Sequence, residues 1–338
     1  MSRMTLAEKP NTLIGAVHLP RVEKPSEPLE YLELSGTDRR IPVYDIRSVE
    51  SHEAIAEQIA DGAQMALFGG VWGGFKGVKR GVQNEGFFMR VKPGRPKEAK
   101  VAMMVPPSDA TQLVDWSLVH PEFQYLRDYE RFRDLWSANE AYLHIIAPIK
   151  PSLRTLPEIF ETTPEDFRSR YPNLDPVSAS TACFFWREDP YLKHFTALVK
   201  RLSHATVYIG VSSLNRHKEK PPYLYGELVD QIKDGRTNPA TIHLIVRDSI
   251  YERHEAFGSH TQLRLPLKGE TPTLKVIRIG TLSLEGFEDR TGLPTETVPG
   301  AEDVRKNPGI NVDGQLTDMS EEIKENWRRQ KTKVFFRD

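Results

Sequence analysis

The chain has 338 residues, 38% of them hydrophobic and 28% charged, with 46 basic against 47 acidic side chains and one cysteine, Cys183. That length allows one large or two ordinary domains with a sizeable core, and the charge balance supplies no global pull toward nucleic acid, so a phosphate-binding surface has to be a local patch. A lone cysteine excludes an internal disulfide and a cysteine zinc site. No apolar run approaches the roughly 20 residues of a membrane span, and the N-terminal residues lack a secretory pattern, so a cytoplasmic protein is expected.

Residues 1–45 are proline-bearing and weakly periodic, which reads as an extended N-terminal arm. The compact domain is expected over 46–288. It opens with "SHEAIAEQIADGAQMALFGG", a helix with Ser51 as its cap, Ile55 and Ile59 on one face, Gly62 as its stop, and then a short strand. Next comes "LFGGVWGGFKGVKRG", six glycines and three basic residues within fifteen. Glycine lets backbone N–H groups approach an anion, so the stretch reads as a phosphate or substrate loop. It is not a Walker A loop, because Phe75 precedes Lys76 and Gly77 follows it. Lys76 to Arg80 and Arg90 to Lys100 are the two basic patches.

Beyond them, "SDATQLVDWSLV", capped by Ser108, and "PEFQYLRDYERFRDLW" predict helices, and "AYLHIIAP" predicts a strand. "TPEDFRSRY" reads as a helix. "TACFFW", "TVYIGVSS", "ATIHLIVRD" and "LKVIRIG" read as strands, with a helix in "PPYLYGELVDQIKDG" between the second and third. Residues 289–338 are polar and rich in Pro, Gly and Asn, with a short amphipathic helix possible near the end; they read as a C-terminal extension. Strands alternating with helices predict an α/β protein built on a mixed sheet. The histidines of "RHEAFGSH", His254 and His260, lack the spacing of an HExxH site and read as surface residues.

Three strand-end turns offer groups suited to phosphate: Lys92 and Arg95 in "RVKPGRP", Ser212, Ser213 and Asn215 in "YIGVSSLN", and Arg278 in "KVIRIG". Taken singly each is an ordinary turn. Taken in order, Lys92-Pro93-Gly94-Arg95-Pro96, Val211-Ser212-Ser213-Leu214-Asn215, Asp234-Gly235, Pro239-Ala240-Thr241-Ile242 and Arg278-Ile279-Gly280 resemble the successive motifs of the YrdC-type threonylcarbamoyl-AMP synthases. The resemblance covers roughly residues 50–287. It implies a twisted mixed β-sheet flanked by helices around a concave nucleotide-binding face.

By the same resemblance, Lys92, Arg95, Ser213 and Asn215 are the catalytic set. Gly70, Trp72, Gly73, Ser212, Thr241, Arg278 and Arg187 bind nucleotide or substrate. ATP and a threonine carbamate are the implied reactants, Mg2+ is bound through phosphates with no protein metal site, and tRNA or double-stranded RNA is a possible partner. The chain also departs from the pattern. Gly69-Gly70 replaces the family's Pro-Thr-acid run, Trp136-Ser137-Ala138-Asn139 stands in place of its W-P-G-P-x-T, and Arg187 to Pro190 echoes its R-x-P only loosely. The departures leave open an enzyme that adenylates the carbamate of another amine, and a module that only binds nucleotide or RNA.

Overall fold

The computed structural model describes residues 27–34, 38–68, 71–79, 88, 90, 96, 100–137, 143–150, 156–172, 177–214, 221–222, 224–248, 259–280, 282 and 284–304. Its strands are β1 (Glu30–Glu33), β2 (Arg40–Asp45), β3 (Gln64–Phe68), β4 (Trp72–Val78), β5 (Ala102–Met104) and β6 (Leu143–Pro148), followed by β7 (Thr181–Phe185), β8 (Tyr208–Ser213), β9 (Leu244–Arg247), β10 (Thr261–Arg264), β11 (Leu274–Ile279) and β12 (Thr295–Asp303). Its helices are α1 (His52–Ala60), α2 (Pro107–Leu113), α3 (Tyr129–Ser137), α4 (Pro164–Arg170), α5 (Pro190–Leu202), α6 (Tyr225–Lys233) and α7 (Leu284–Thr291). The strands form one mixed sheet in the order β1-β2-β9-β3-β4-β8-β5-β7-β6-β10-β11-β12. The α/β expectation holds. No helix among the described residues is long and apolar enough to cross a membrane.

Several local expectations hold for the reasons given. Ile55 and Ile59 are fully buried, and Gly62 closes α1 at φ +90°, where a side chain would be strained. Thr163 and Asp166 form a reciprocal capping box on α4, each side chain accepting from the other's backbone N–H.

Other expectations are corrected. Ser108 does not cap α2; Pro107 starts that helix after Pro106, since proline's fixed φ and missing N–H suit a first turn. The predicted long helix from Pro121 splits, because Asp128 turns extended and its carboxylate accepts from the N–H groups of Glu130 and Arg131. β1 and β2 lie inside the expected arm and pair with the sheet, while β12 lies inside the expected extension and pairs with β11.

The sheet is strongly coiled. Arg187 follows the C-terminal end of β7, and Asp248 follows β9, five strands away, yet Arg187 Nη2 lies 2.6 Å from Asp248 Oδ2. Arg47, just after β2, reaches Asp248 Oδ1 at 2.8 Å and Asp189 Oδ2 at 2.8 Å, and Arg187 lies 3.4 Å from the same Asp189 oxygen. Asp189 also caps α5, accepting from the N–H groups of Tyr191 and Leu192. Two arginines and two aspartates thus tie the ends of β2, β7 and β9 into a clasp beside α1 and α5.

A histidine pair sits within that junction. His52 is fully buried and its Nε2 donates to the Ile46 carbonyl at 2.5 Å, so its Nδ1 must accept from His194 Nδ1 at 2.8 Å. Burial holds both rings below the ordinary 6.5, with nearby positive charge helping at each. His243, whose Nδ1 accepts from the Gln64 N–H, is held down by burial and by Lys76.

The native state therefore binds these protons less readily than the unfolded chain does. Stability is full above about pH 6.5 and declines as pH falls below that value toward the depressed native pKa values. The melting temperature is expected to drop by several degrees between pH 7.5 and pH 5.5. A flat profile across that range would show that these rings do not couple to folding.

Candidate active site

The glycine-rich stretch is chiefly a strand. β4 pairs antiparallel with β3 on one side and with β8 on the other, Gly73 facing Leu67 and Ser213, and Gly74 facing Ala66 and Ser212. Its glycines answer to packing. A Cβ on Gly77 would lie 1.9 Å from the Ile59 carbonyl oxygen of α1, and one on Gly74 would lie 2.7 Å from Gln64 Nε2. On Gly73 it would lie 2.9 Å from the Phe75 ring, which covers that position. Lys76 Nζ donates to the Gly62 carbonyl at 2.6 Å, which holds its side chain toward the end of α1. The expectation of a loop is corrected over Trp72–Val78, which form a strand.

Residues paired across adjacent strands share a face of the sheet. Gly73 and Ser213 therefore lie on one face, as do Phe75 and Val211 two residues along. A further row on the same face runs Ile209, Met104, Phe185, His144, Gln262 and Arg278, across six strands. That face is concave. Three inter-strand spacings of about 4.8 Å separate β4 from β7, yet the rings of Phe75 and Phe185 have centroids only 6.1 Å apart.

A continuous wall results. Phe185 meets His144 at 5.6 Å and His260 at 5.2 Å, and the two imidazoles stack at 4.6 Å with 9° between their planes. Gln262 Nε2 lies 3.3 Å from His144 Nδ1. Arg278 Nε donates to the His260 carbonyl at 3.0 Å.

Burial sets the charge of this wall. His144 lies well below the ordinary imidazole range, first through burial and then through His260 and Arg278, so at neutral pH its ring is uncharged. Burial also lowers the Arg278 guanidinium, although an arginine still keeps its proton at any working pH. The expectation that His260 lies at the surface is corrected: it is buried, held between His144 and Phe185. His254 lies outside the described residues.

The residues singled out from the sequence fall into four groups. Ser213, Gly73 and Arg278 share the concave face, Arg278 standing five strands from Ser213 and four residues lower in register. Trp72 and Ser212 alternate to the opposite face and are buried, Ser212 lying directly across from Gly74. Arg187 belongs to the clasp, and Thr241 is bound into a local turn in which its hydroxyl donates to the Asn238 carbonyl. Lys92, Arg95, Asn215 and Gly70 lie outside the described residues. Phe75, Phe185, His144, His260 and Gln262 carried no local signal as site residues. Only the strand register brings them together. Among the described residues no group of three or more His, Cys, Asp or Glu side chains is placed to hold a metal ion.

No family model matches the chain, and no curated protein matches it by sequence. Among solved structures it is similar to a doubly substituted Sua5 of P. abyssi, at 15% identity and a TM-score of 0.48, over 78% of this chain and 65% of that one. It is similar also to P. abyssi Sua5 complexed with L-threonine, at 16% identity and a TM-score of 0.47, over 75% and 65% of the two chains. The likeness to E. coli YciO has 14% identity and a TM-score of 0.44, over 72% of this chain and 96% of that one. The match thus spans 65% of the length of the Sua5 structures.

Proposed function

We propose that the protein is an ATP-dependent synthase of the threonylcarbamoyl-AMP type, acting in tRNA modification. In this reading the amine of an amino acid takes up bicarbonate-derived CO2 as a carbamate. A carbamate oxygen attacks the α-phosphorus of ATP, pyrophosphate leaves, and a carbamoyl adenylate forms. The observation that carries the reading is the concave face: the strand register puts Gly73, Ser213 and Arg278 on it, in agreement with the order of sequence motifs.

The protein's contribution is chiefly electrostatic, since phosphoryl transfer is accelerated by positioning and by cations placed where charge accumulates. Arg278 supplies one such charge from β11, and the Ser213 hydroxyl donates to a nucleotide phosphate at the end of β8. Lys92, Arg95 and Asn215 complete the set in the sequence resemblance. Magnesium, when bound, neutralises the triphosphate through its own oxygens.

A second reading, the same chemistry on another amine, is favoured by the Phe75 ring, which fills the space over Gly73 at the edge of the face. Pyrophosphate release with ATP and bicarbonate, assayed across a panel of amino acids, tests both. Release with threonine supports the first and release only with another amine supports the second. No release with any amine overturns synthase activity and leaves a module that binds nucleotide or RNA.

A further inference from the structure

We propose that Arg170 and Arg278 together form a polyphosphate site for the β- and γ-phosphates of ATP, the pair that leaves as pyrophosphate; this rests on the synthase reading above. Arg170 is the last residue of α4, a helix that carries none of the motifs behind the family resemblance. That helix lies on the concave face at the Arg278 end. Its Phe167 and the following Tyr171 share one buried cluster with Ile146 and Ile277. Ile146 stands two residues beyond His144 on β6 and therefore on the same face. Arg170 sits over the Tyr171 ring, its Cζ 5.1 Å from the centroid.

The sheet aims Arg278 at the same place by breaking its register. Gln262 and Leu263 are consecutive on β10 but face Arg278 and Val276, so Ile277 is extra. On the other side Thr297 faces Val276 and Glu302 faces Arg278, so Val298 to Ala301 bulge out, with Gly300 at φ +84°. Such bulges re-aim side chains and are frequent beside active sites. Here the irregularity brings Ile277 into the Tyr171 cluster with Arg278 next to it. Burial lowers the Arg278 guanidinium and the Arg170 charge lowers it further, so the two cations stand close enough to repel one another.

Where other guanidiniums leave water in this molecule, a carboxylate meets them: Arg47, Arg187 and Arg264 each have one at 2.8 Å or closer. Arg170 and Arg278 form no ion pair among the described residues. Glu302, opposite Arg278 in register, is exposed and pairs with neither. Both arginines are partly exposed. Arg278 uses Nε on the His260 carbonyl, while its two Nη groups make no hydrogen bond among the described residues and remain open to solvent. An anion can therefore reach them from outside. Two forks in one place suit a ligand with several oxygens and at least two negative charges, which a lone carboxylate does not offer.

Calorimetry with pyrophosphate, inorganic phosphate and AMP tests the site in the parent, Arg170→Gln and Arg168→Gln. Arg168 is the control, an exposed arginine in the same last turn of α4. The parent is expected to bind pyrophosphate at least about tenfold more tightly than phosphate, and Arg170→Gln to weaken pyrophosphate by about 10- to 100-fold in Kd. AMP affinity in Arg170→Gln, and pyrophosphate affinity in Arg168→Gln, should stay within about twofold of the parent. No pyrophosphate binding by the parent, or phosphate bound equally well, overturns the assignment, and this comparison decides even if a variant fails to fold. Unchanged pyrophosphate binding in Arg170→Gln, an equal loss in Arg168→Gln, or an equal loss of AMP also overturns it. The expected binding pattern without pyrophosphate release from ATP with any amine would sink the synthase reading and leave the anion site standing.

Discussion

Replacing Asp248 by alanine is expected to destabilise the protein by about 3–5 kcal/mol, the cost of removing one partner from a buried ion-pair network. Asp248 is fully buried and contacts both Arg47 and Arg187, whose side chains are 15% and 2% exposed. Its loss would leave Asp189 as the described carboxylate between two guanidiniums already taken out of water. The consequence is also architectural. This clasp holds together strand ends that lie five strands apart in the sheet, so its loss relaxes the coil that makes the face carrying Ser213 and Arg278 concave. Urea unfolding at pH 7.5 measures the effect. Asp234→Ala serves as the comparison, because the Asp234–Arg236 pair is about half exposed on both sides and should contribute less than about 1 kcal/mol. Equal effects for the two variants would mean that the clasp does not hold the coil.

The second large effect is expected at Gly77. A methyl group there would lie 1.9 Å from the Ile59 carbonyl oxygen and 3.1 Å from the Val207 side chain. The first obstacle is helix backbone, which cannot swing aside as a side chain can, so α1 would have to move off β4. Overpacking of well-filled cores typically costs about 1–3 kcal/mol, and a backbone obstacle places Gly77→Ala at or above the top of that range. Gly226→Ala is the control, since a Cβ there meets nothing within 4 Å. It should be neutral or slightly stabilising, because alanine loses less backbone freedom than glycine in a helical turn. A Gly77→Ala protein as stable as the parent would contradict the close approach of α1 to β4.

These two sites show what the sequence carries and where it stops. Apolar periodicity located α1, and β-branched or aromatic runs located β6, β7, β8, β9 and β11, because those elements bury a face and their patterning records it. β1 and β12 are edge strands with mostly exposed side chains, so little alternation marks them and their sequences read as parts of an arm and an extension. The glycines of β4 read as ligand chemistry because a close backbone approach and an anion cradle demand the same residue; at Gly77 the position of α1 distinguishes them. Register is the deepest gap. His144, Phe185, Gln262 and Arg278 are far apart along the chain and become one row through pairings that no local pattern encodes. His260 reads as a surface residue for the same reason, since its stacking partner His144 lies on another strand.

The central claim is that ATP, bicarbonate and an amine meet on this concave face and leave as a carbamoyl adenylate and pyrophosphate. Radiolabelled bicarbonate tests it most directly, by following whether label from the inorganic carbon enters an adenylate adduct. The account predicts label in the adduct in proportion to pyrophosphate released, with both products lost when either the amine or bicarbonate is withheld. Pyrophosphate released at an undiminished rate without bicarbonate, or an adduct carrying no label, would contradict it.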